Sequence, residues 1–158
     1  MMRKLFFTIV IVGGIVFAIA MLARFSDGPI GPFPGGPLQG EITRGMEPPW
    51  SSLLANEDSI ELQVNPADPR SLHVWFVLHN GAIHVPSAWA PHKEWPEQVE
   101  ADPRVVLRTR GRMYDRHATR VTDPATIDTL LGLVSEKYGA GRGDPETTWF
   151  FRLDPPQP

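Results

Sequence analysis

Residues 71–87 read SLHVWFVLHNGAIHVPS, two apolar-rich runs on either side of Asn80-Gly81. Asn-Gly readily supplies the two positive-φ residues of a tight hairpin, so the stretch predicts strands over Ser71–Leu78 and Ala82–Ser87. That turn sets His79 opposite Ala82, Val77 opposite His84 and Trp75 opposite Pro86. Side chains alternate across a strand, which assigns Leu72, Val74, Phe76, Leu78, Ile83 and Val85 to a core face. His73, Trp75, His79 and His84 fall on the other face, which is too aromatic for plain solvent surface.

Working outward, Ile60, Leu62 and Val64 alternate with polar neighbours and predict a half-buried strand over Ser59–Val64. Downstream, His92–Ala101 can form a short helix that is broken or restarted at Pro96 and ends before Pro103. Arg104–Arg110 and Arg112–Val121 read as two further strands around Gly111. Asp123 is suited to cap a helix with Pro124 at its first position. Ile127, Leu130, Leu131 and Val134 then recur at helical spacing as far as Tyr138, with Gly139 as the stop. Thr147–Leu153 supplies the last strand. The order β-β-β-α-β-β-α-β predicts a mainly-β fold with short α-helices (α+β), an antiparallel sheet curled into a small barrel.

Ahead of this unit, Leu5–Leu22 is 18 residues without a charge. A helix of that length spans roughly 27 Å, close to one hydrocarbon core. Arg3 and Lys4 on one side outnumber Arg24 on the other, so the positive-inside preference puts the N-terminus in the cytoplasm. The expectation is a single-pass cell-membrane protein with its C-terminal domain on the extracytoplasmic side. Ala18-Ile19-Ala20 has the small-residue spacing of a cleaved signal, but the apolar run exceeds the usual signal core of about 7–15 residues. Ser26–Gly40 has proline or glycine every two or three residues and reads as an extended spacer, more an exposed tether than a docked segment. Ile30, Phe33 and Leu38 are its candidates for docking. The chain thus divides into an anchor at 1–25, a linker at 26–40, the barrel domain at 41–153 and a disordered tail at 154–158.

The 158-residue chain has no cysteine, which excludes disulfides, thiolate nucleophiles and Cys-ligated metal. Apart from Arg3, Lys4 and Arg24, it carries 12 basic and 18 acidic side chains, a net −6 that argues against nucleic acid as a partner. Against that background Arg104, Arg108, Arg110, Arg112, Arg116 and Arg120 share one predicted hairpin with a single acid, Asp115. Such a cluster suits an anion, unless acids on neighbouring strands pair with it. His73, His79 and His84 lack metal-motif spacing, and Ser87 has no evident His–Asp partner set for a nucleophilic triad.

Ser87, Trp95, Gln98, Val99, Ala101, Asp102 and Pro103 form the pattern S-x(7)-W-x-x-Q-V-x-A-D-P directly after the hairpin. This resembles a signature of the deazaflavin-dependent nitroreductase family, within the FMN-binding split-barrel superfamily. Arg70 also falls where those proteins often have an arginine. The resemblance covers roughly residues 58–138 and implies a split β-barrel, here behind the one N-terminal transmembrane helix read from Leu5–Leu22. It further implies FMN or deazaflavin held by its phosphate, with Ser87 and Lys93 at the phosphate, Trp95 bracing the site and Arg70 nearby. A homodimer and redox chemistry on a small or membrane-soluble substrate would follow. Where the family has a glycine-containing turn before the hairpin, this chain has Asn65-Pro66-Ala67-Asp68-Pro69. The rival reading is therefore a non-catalytic binding or scaffold module that has lost its cofactor site.

Overall fold

In the computed structural model, which describes residues 2–45 and 47–156, Asn80 and Gly81 adopt φ of 50° and 76°. The hairpin they close has the expected register, His79 against Ala82 and Val77 against His84. A second two-residue turn repeats the geometry at Arg110 and Gly111, with φ of 48° and 70°. Among the described residues seven strands result: β1 (Ile60–Val64), β2 (Arg70–Val74), β3 (Val77–His79), β4 (Ala82–Ser87), β5 (Arg104–Thr109), β6 (Arg112–Val121) and β7 (Trp149–Asp154). They form one antiparallel sheet in the order β2-β1-β5-β6-β7-β4-β3. The last strand includes Asp154, one residue beyond the expected end; Gln157 and Pro158 of the expected tail lie outside the described residues.

The main departure lies inside the stretch that decides the fold. Ser71–Leu78 is not one strand: it breaks at Trp75-Phe76, and the two pieces occupy opposite edges of the sheet. Trp75 therefore does not pair with Pro86; Phe150 does. A corner of this kind leaves backbone groups without ladder partners, and they must be satisfied elsewhere. Tyr138 does this. Its hydroxyl accepts from the Phe76 N–H at 3.0 Å and can donate to the carbonyl of Phe76 at 2.8 Å or of Asp58 at 2.9 Å. Lys137 Nζ adds a bond to the Phe76 carbonyl at 3.2 Å.

Both residues end α4 (Pro124–Tyr138), whose N-cap Asp123 accepts from Thr126 N–H and whose C-cap Gly139 has φ of 60°. This helix packs on the outside of the sheet, where Leu130 and Leu131 meet Val77 and Phe150 in a second apolar cluster. The barrel interior holds the expected Val74, Phe76, Ile83 and Val85 among Ile60, Leu62, Leu107 and Phe151. Leu72 and Leu78 pack against it only half-buried. A short helix that the sequence pattern does not announce, α2 (Trp50–Leu53), plugs the core with Trp50, edge-on to Tyr114 at 5.1 Å.

Helix α1 (Met2–Ala23) is long and apolar enough to cross a membrane over Leu5–Ala23. The side chains of Arg3 and Lys4, on which its expected orientation rests, lie outside the described set. The following segment is not the exposed tether expected from its prolines. Gly35 and Ser71 exchange backbone hydrogen bonds at 2.8 and 3.3 Å, extending the β2 edge, and Leu38 is buried. Glycine permits this: a Cβ on Gly35 would sit 2.0 Å from the Gly28 carbonyl oxygen. Phe33 is half-buried and Ile30 exposed, so Leu38 alone of the three is fully buried.

Candidate functional site

Strand β4 ends at Ser87, and the chain then turns sharply through Trp89, a left-handed residue with φ of 52°. A 3-10 turn (Ala90–His92) follows, fastened by the Ala90 N–H to the Thr147 carbonyl at 2.9 Å. Lys93 occupies the cap position of α3 (Glu94–Ala101), and Trp95 lies in the first turn with its ring 5.6 Å from Phe151. Pro96 is tolerated because it sits in that same first turn, where N–H groups lack helical partners anyway.

Lys93 and Trp95 form a ridge between two adjoining cavities. The larger, about 410 Å³, lies outside the barrel between Trp75, Pro86, Leu131 and Val134. The smaller, about 270 Å³, is bounded by Pro34, Arg70, Leu72 and Gln98. Arg70, Lys93 and Trp95 are thus brought together as the sequence pattern anticipates. Ser87 is not. It shares the inward face with Ile83 and Val85, is 1% exposed, and its Oγ has no hydrogen-bond partner. Neither cavity is lined by it.

The larger cavity is mostly apolar, with one cation at its edge, and its volume falls in the range of small-molecule sites. Trp75 forms part of its wall, held flat against Tyr138 at 4.3 Å and 6°. Lys93 lines this cavity, and partial loss of water lowers its pKa from the ordinary value. This lining fits a planar ring with an anionic tail directed at Lys93. The start of α3 adds less to an anion site than expected. Pro96 has no N–H to offer, and Glu94 and Glu97 already place negative charge in the first turn.

Of the two readings of the arginine hairpin, the structure realises the pairing one. Five of its six arginines face carboxylates: Arg104 with Asp102 at 2.6 Å, Arg108 with Asp27 at 2.6 Å and with Glu61, Arg110 with Glu57 at 2.8 Å, Arg116 with Glu47 at 3.1 Å, and Arg120 with Glu100 at 2.8 Å. The hydrogen bonds from Arg104 hold Asp102 down to about 2. Arg116 is also packed over Trp50 at 4.8 Å, and Arg120 over Trp149 at 3.5 Å. Asp102 lies only two residues from Arg104, but the other partners lie 20 to 81 residues away in sequence, where no local pattern announces them. The histidines separate as well: His73 is on the β2 edge, while His79 of the opposite edge strand β3 lies edge-to-face at 5.9 Å with His84 of the adjoining β4. Burial lowers the pKa of His84. Among the described residues no group of three metal-binding side chains occurs.

The sequence matches no family model, and no curated protein is similar to it in sequence. Its architecture is that of known structures. The heme storage protein HutZ from Vibrio cholerae matches 71% of this chain and 91% of its own at 17% identity and a TM-score of 0.56. A candidate pyridoxamine 5'-phosphate oxidase from Listeria innocua matches 67% and 90%, at 16% identity and a TM-score of 0.54. An F420 reductase matches 71% and 97%, at 13% identity and a TM-score of 0.50. At these low identities the likenesses establish the fold: the described residues form a split β-barrel.

Proposed function

We propose that this is a membrane-anchored, exported oxidoreductase that holds FMN or a deazaflavin such as F420 in the groove beside Lys93. The observation that carries the reading is the apolar cavity walled by Trp75, Leu131 and Val134 and ending at the partly desolvated ammonium of Lys93. The bound cofactor would supply hydride transfer to a small or membrane-soluble substrate. The chain's own residues bind and orient. Lys93 neutralises the anionic tail, Trp95, two residues on and packed against Phe151, braces the site, Trp75 offers a flat wall, and Arg70 presents a second cation across the ridge. A second copy of the chain covers the Trp75 face, since an indole 47% exposed beside an apolar groove is typical of an interface; light scattering showing only monomer at tens of micromolar would count against that.

The alternative is a scaffold that binds no flavin, favoured by the sequestered Ser87 hydroxyl and by the acidic, proline-bearing start of α3. A titration decides. Wild-type protein and Lys93→Ala are titrated with FMN and with F420, following absorbance. A charge-assisted hydrogen bond at this half-open position is worth about 1.5 kcal/mol, so the variant should bind about tenfold more weakly. Its thermal midpoint without cofactor should be unchanged, because an exposed lysine contributes little to folding. Equal affinities would sink the site, and no binding by either protein would favour the scaffold.

A further inference from the structure

The first residues after the apolar helix are locked to the barrel. Arg24 pairs with Asp68 and donates to the Pro69 carbonyl at 3.3 Å. Ala23 is fully buried, and the Ser26 hydroxyl is 2.7 Å from its carbonyl oxygen. Gly36 donates to the Ser26 carbonyl at 3.1 Å, and a Cβ there would meet the Arg24 carbonyl oxygen at 2.6 Å. The Ser71 hydroxyl fixes Gly36 from the other side at 2.7 Å, within the buried interior. Farther along, Arg108 holds Asp27, and the Leu38 N–H donates to Gln63 at 2.6 Å. Segment 24–40 is therefore a strap with partners on β1, β2 and β5.

This strap also builds the smaller cavity. Pro34 is one wall, two residues from Gly36 and so within about 7 Å of it along the chain. Arg70 is another wall, and it follows Pro69, whose carbonyl receives Arg24. Two walls of the cavity are thus tied to Arg24 and Ser26, among the first residues after the apolar helix. The headgroup layer on each side of a bilayer is only roughly 5–7 Å thick. Phe25, 81% exposed, and Ile30, 43% exposed, lie on the same strap and leave apolar surface there without cover from the barrel.

We propose that the strap fuses the membrane helix and the barrel into one rigid body, seated so that the cavity between Pro34, Arg70, Lys93 and Trp95 opens at headgroup level. Its ligand is then an amphipath that enters sideways from the lipid, apolar part towards Leu72 and Trp95, polar end towards Arg70 and Lys93. This rests on the membrane-anchored reading above and selects the membrane-soluble class of substrate within it. The alternative geometry is a loose tether: a flexible chain of this length would let its ends wander over roughly 20 Å.

The absence of native cysteine makes the test direct. Spin labels on Val12→Cys and Arg112→Cys, in full-length protein in phosphatidylcholine–phosphatidylglycerol vesicles, report the helix-to-barrel distance by pulsed electron resonance. A fluorophore on Gln98→Cys reports quenching by lipid spin-labelled at the headgroup. One narrow distance distribution and strong quenching are expected. In Gly36→Val, and in the milder Arg24→Gln, the distribution should broaden and quenching fall while circular dichroism of the barrel persists. A broad distribution in the otherwise unaltered protein, or a Gln98 probe that headgroup labels do not quench, overturns the proposal. Failure of the anchor reading would show differently, as protein that does not float with the vesicles, and failure of the flavin reading would show only in the Lys93 titration.

Discussion

Tyr138 carries more of this fold than its half-exposed position suggests. Its ring stacks on Trp75, and its hydroxyl serves the two backbone groups of Phe76 that the β2–β3 corner removes from the sheet. Burial raises its pKa, and the bond to the Phe76 backbone works against that rise only in part. Replacing Tyr138 with phenylalanine keeps the stack and removes the bonds. The Phe76 N–H then has no partner inside the structure, a loss of about 1–3 kcal/mol. Lys137 can still serve the Phe76 carbonyl, so the lower half of that range is expected for Tyr138→Phe. Urea unfolding checks it; a midpoint equal to that of the wild type would mean that water satisfies the corner as well as the phenol does.

At the scale of elements, the signals that depend on neighbours in sequence were legible and those that depend on neighbours in space were not. Asn80-Gly81 set the hairpin and its register, Asp123-Pro124 and Gly139 set both ends of α4, and alternation identified β1 and most of the interior. The corner escaped because Leu72 to Leu78 alternates as a single strand would; only the burial of both Phe76 and Val77 betrays the break, and that needs α4 in place. The same limit hid which distant carboxylates meet Arg108, Arg110, Arg116 and Arg120, and the docking of the strap. Of the site residues that the family resemblance implied, Arg70, Lys93 and Trp95 line one cavity, whereas Ser87 lies on the wrong face of β4 by strand parity. The hairpin turn offers an element-scale test. Gly81 has φ of 76° with open space around it, so Gly81→Ala introduces backbone strain without a clash. A loss of about 1–2 kcal/mol is expected, against almost none for Asn80→Gly. Equal midpoints for the two variants in chemical unfolding would argue that the turn does not set the register.

For the whole molecule, the strap changes where the domain begins. Composition placed its start near residue 41, yet the fold uses Arg24, Asp27, Gly35 and Leu38 as structural partners. Removing them exposes the surface under Leu38, a burial worth about 1.5–3 kcal/mol, and frees the β2 edge from its bonds to Gly35. It also takes Asp27 from Arg108, whose side chain is only 14% exposed, although Glu61 remains to pair with it. Against these gains stands the entropy of ordering the strap, which is reduced in advance because its prolines restrict the unfolded chain. The balance should leave a fragment beginning at Arg24 on the order of 2 kcal/mol more stable than one beginning at Glu41, a difference of roughly 5–10 °C in thermal midpoint. Calorimetry on the two fragments measures it. Coincident melts would mean that the strap rests on the barrel without stabilising it, and the rigid seat on the membrane would lose its energetic basis.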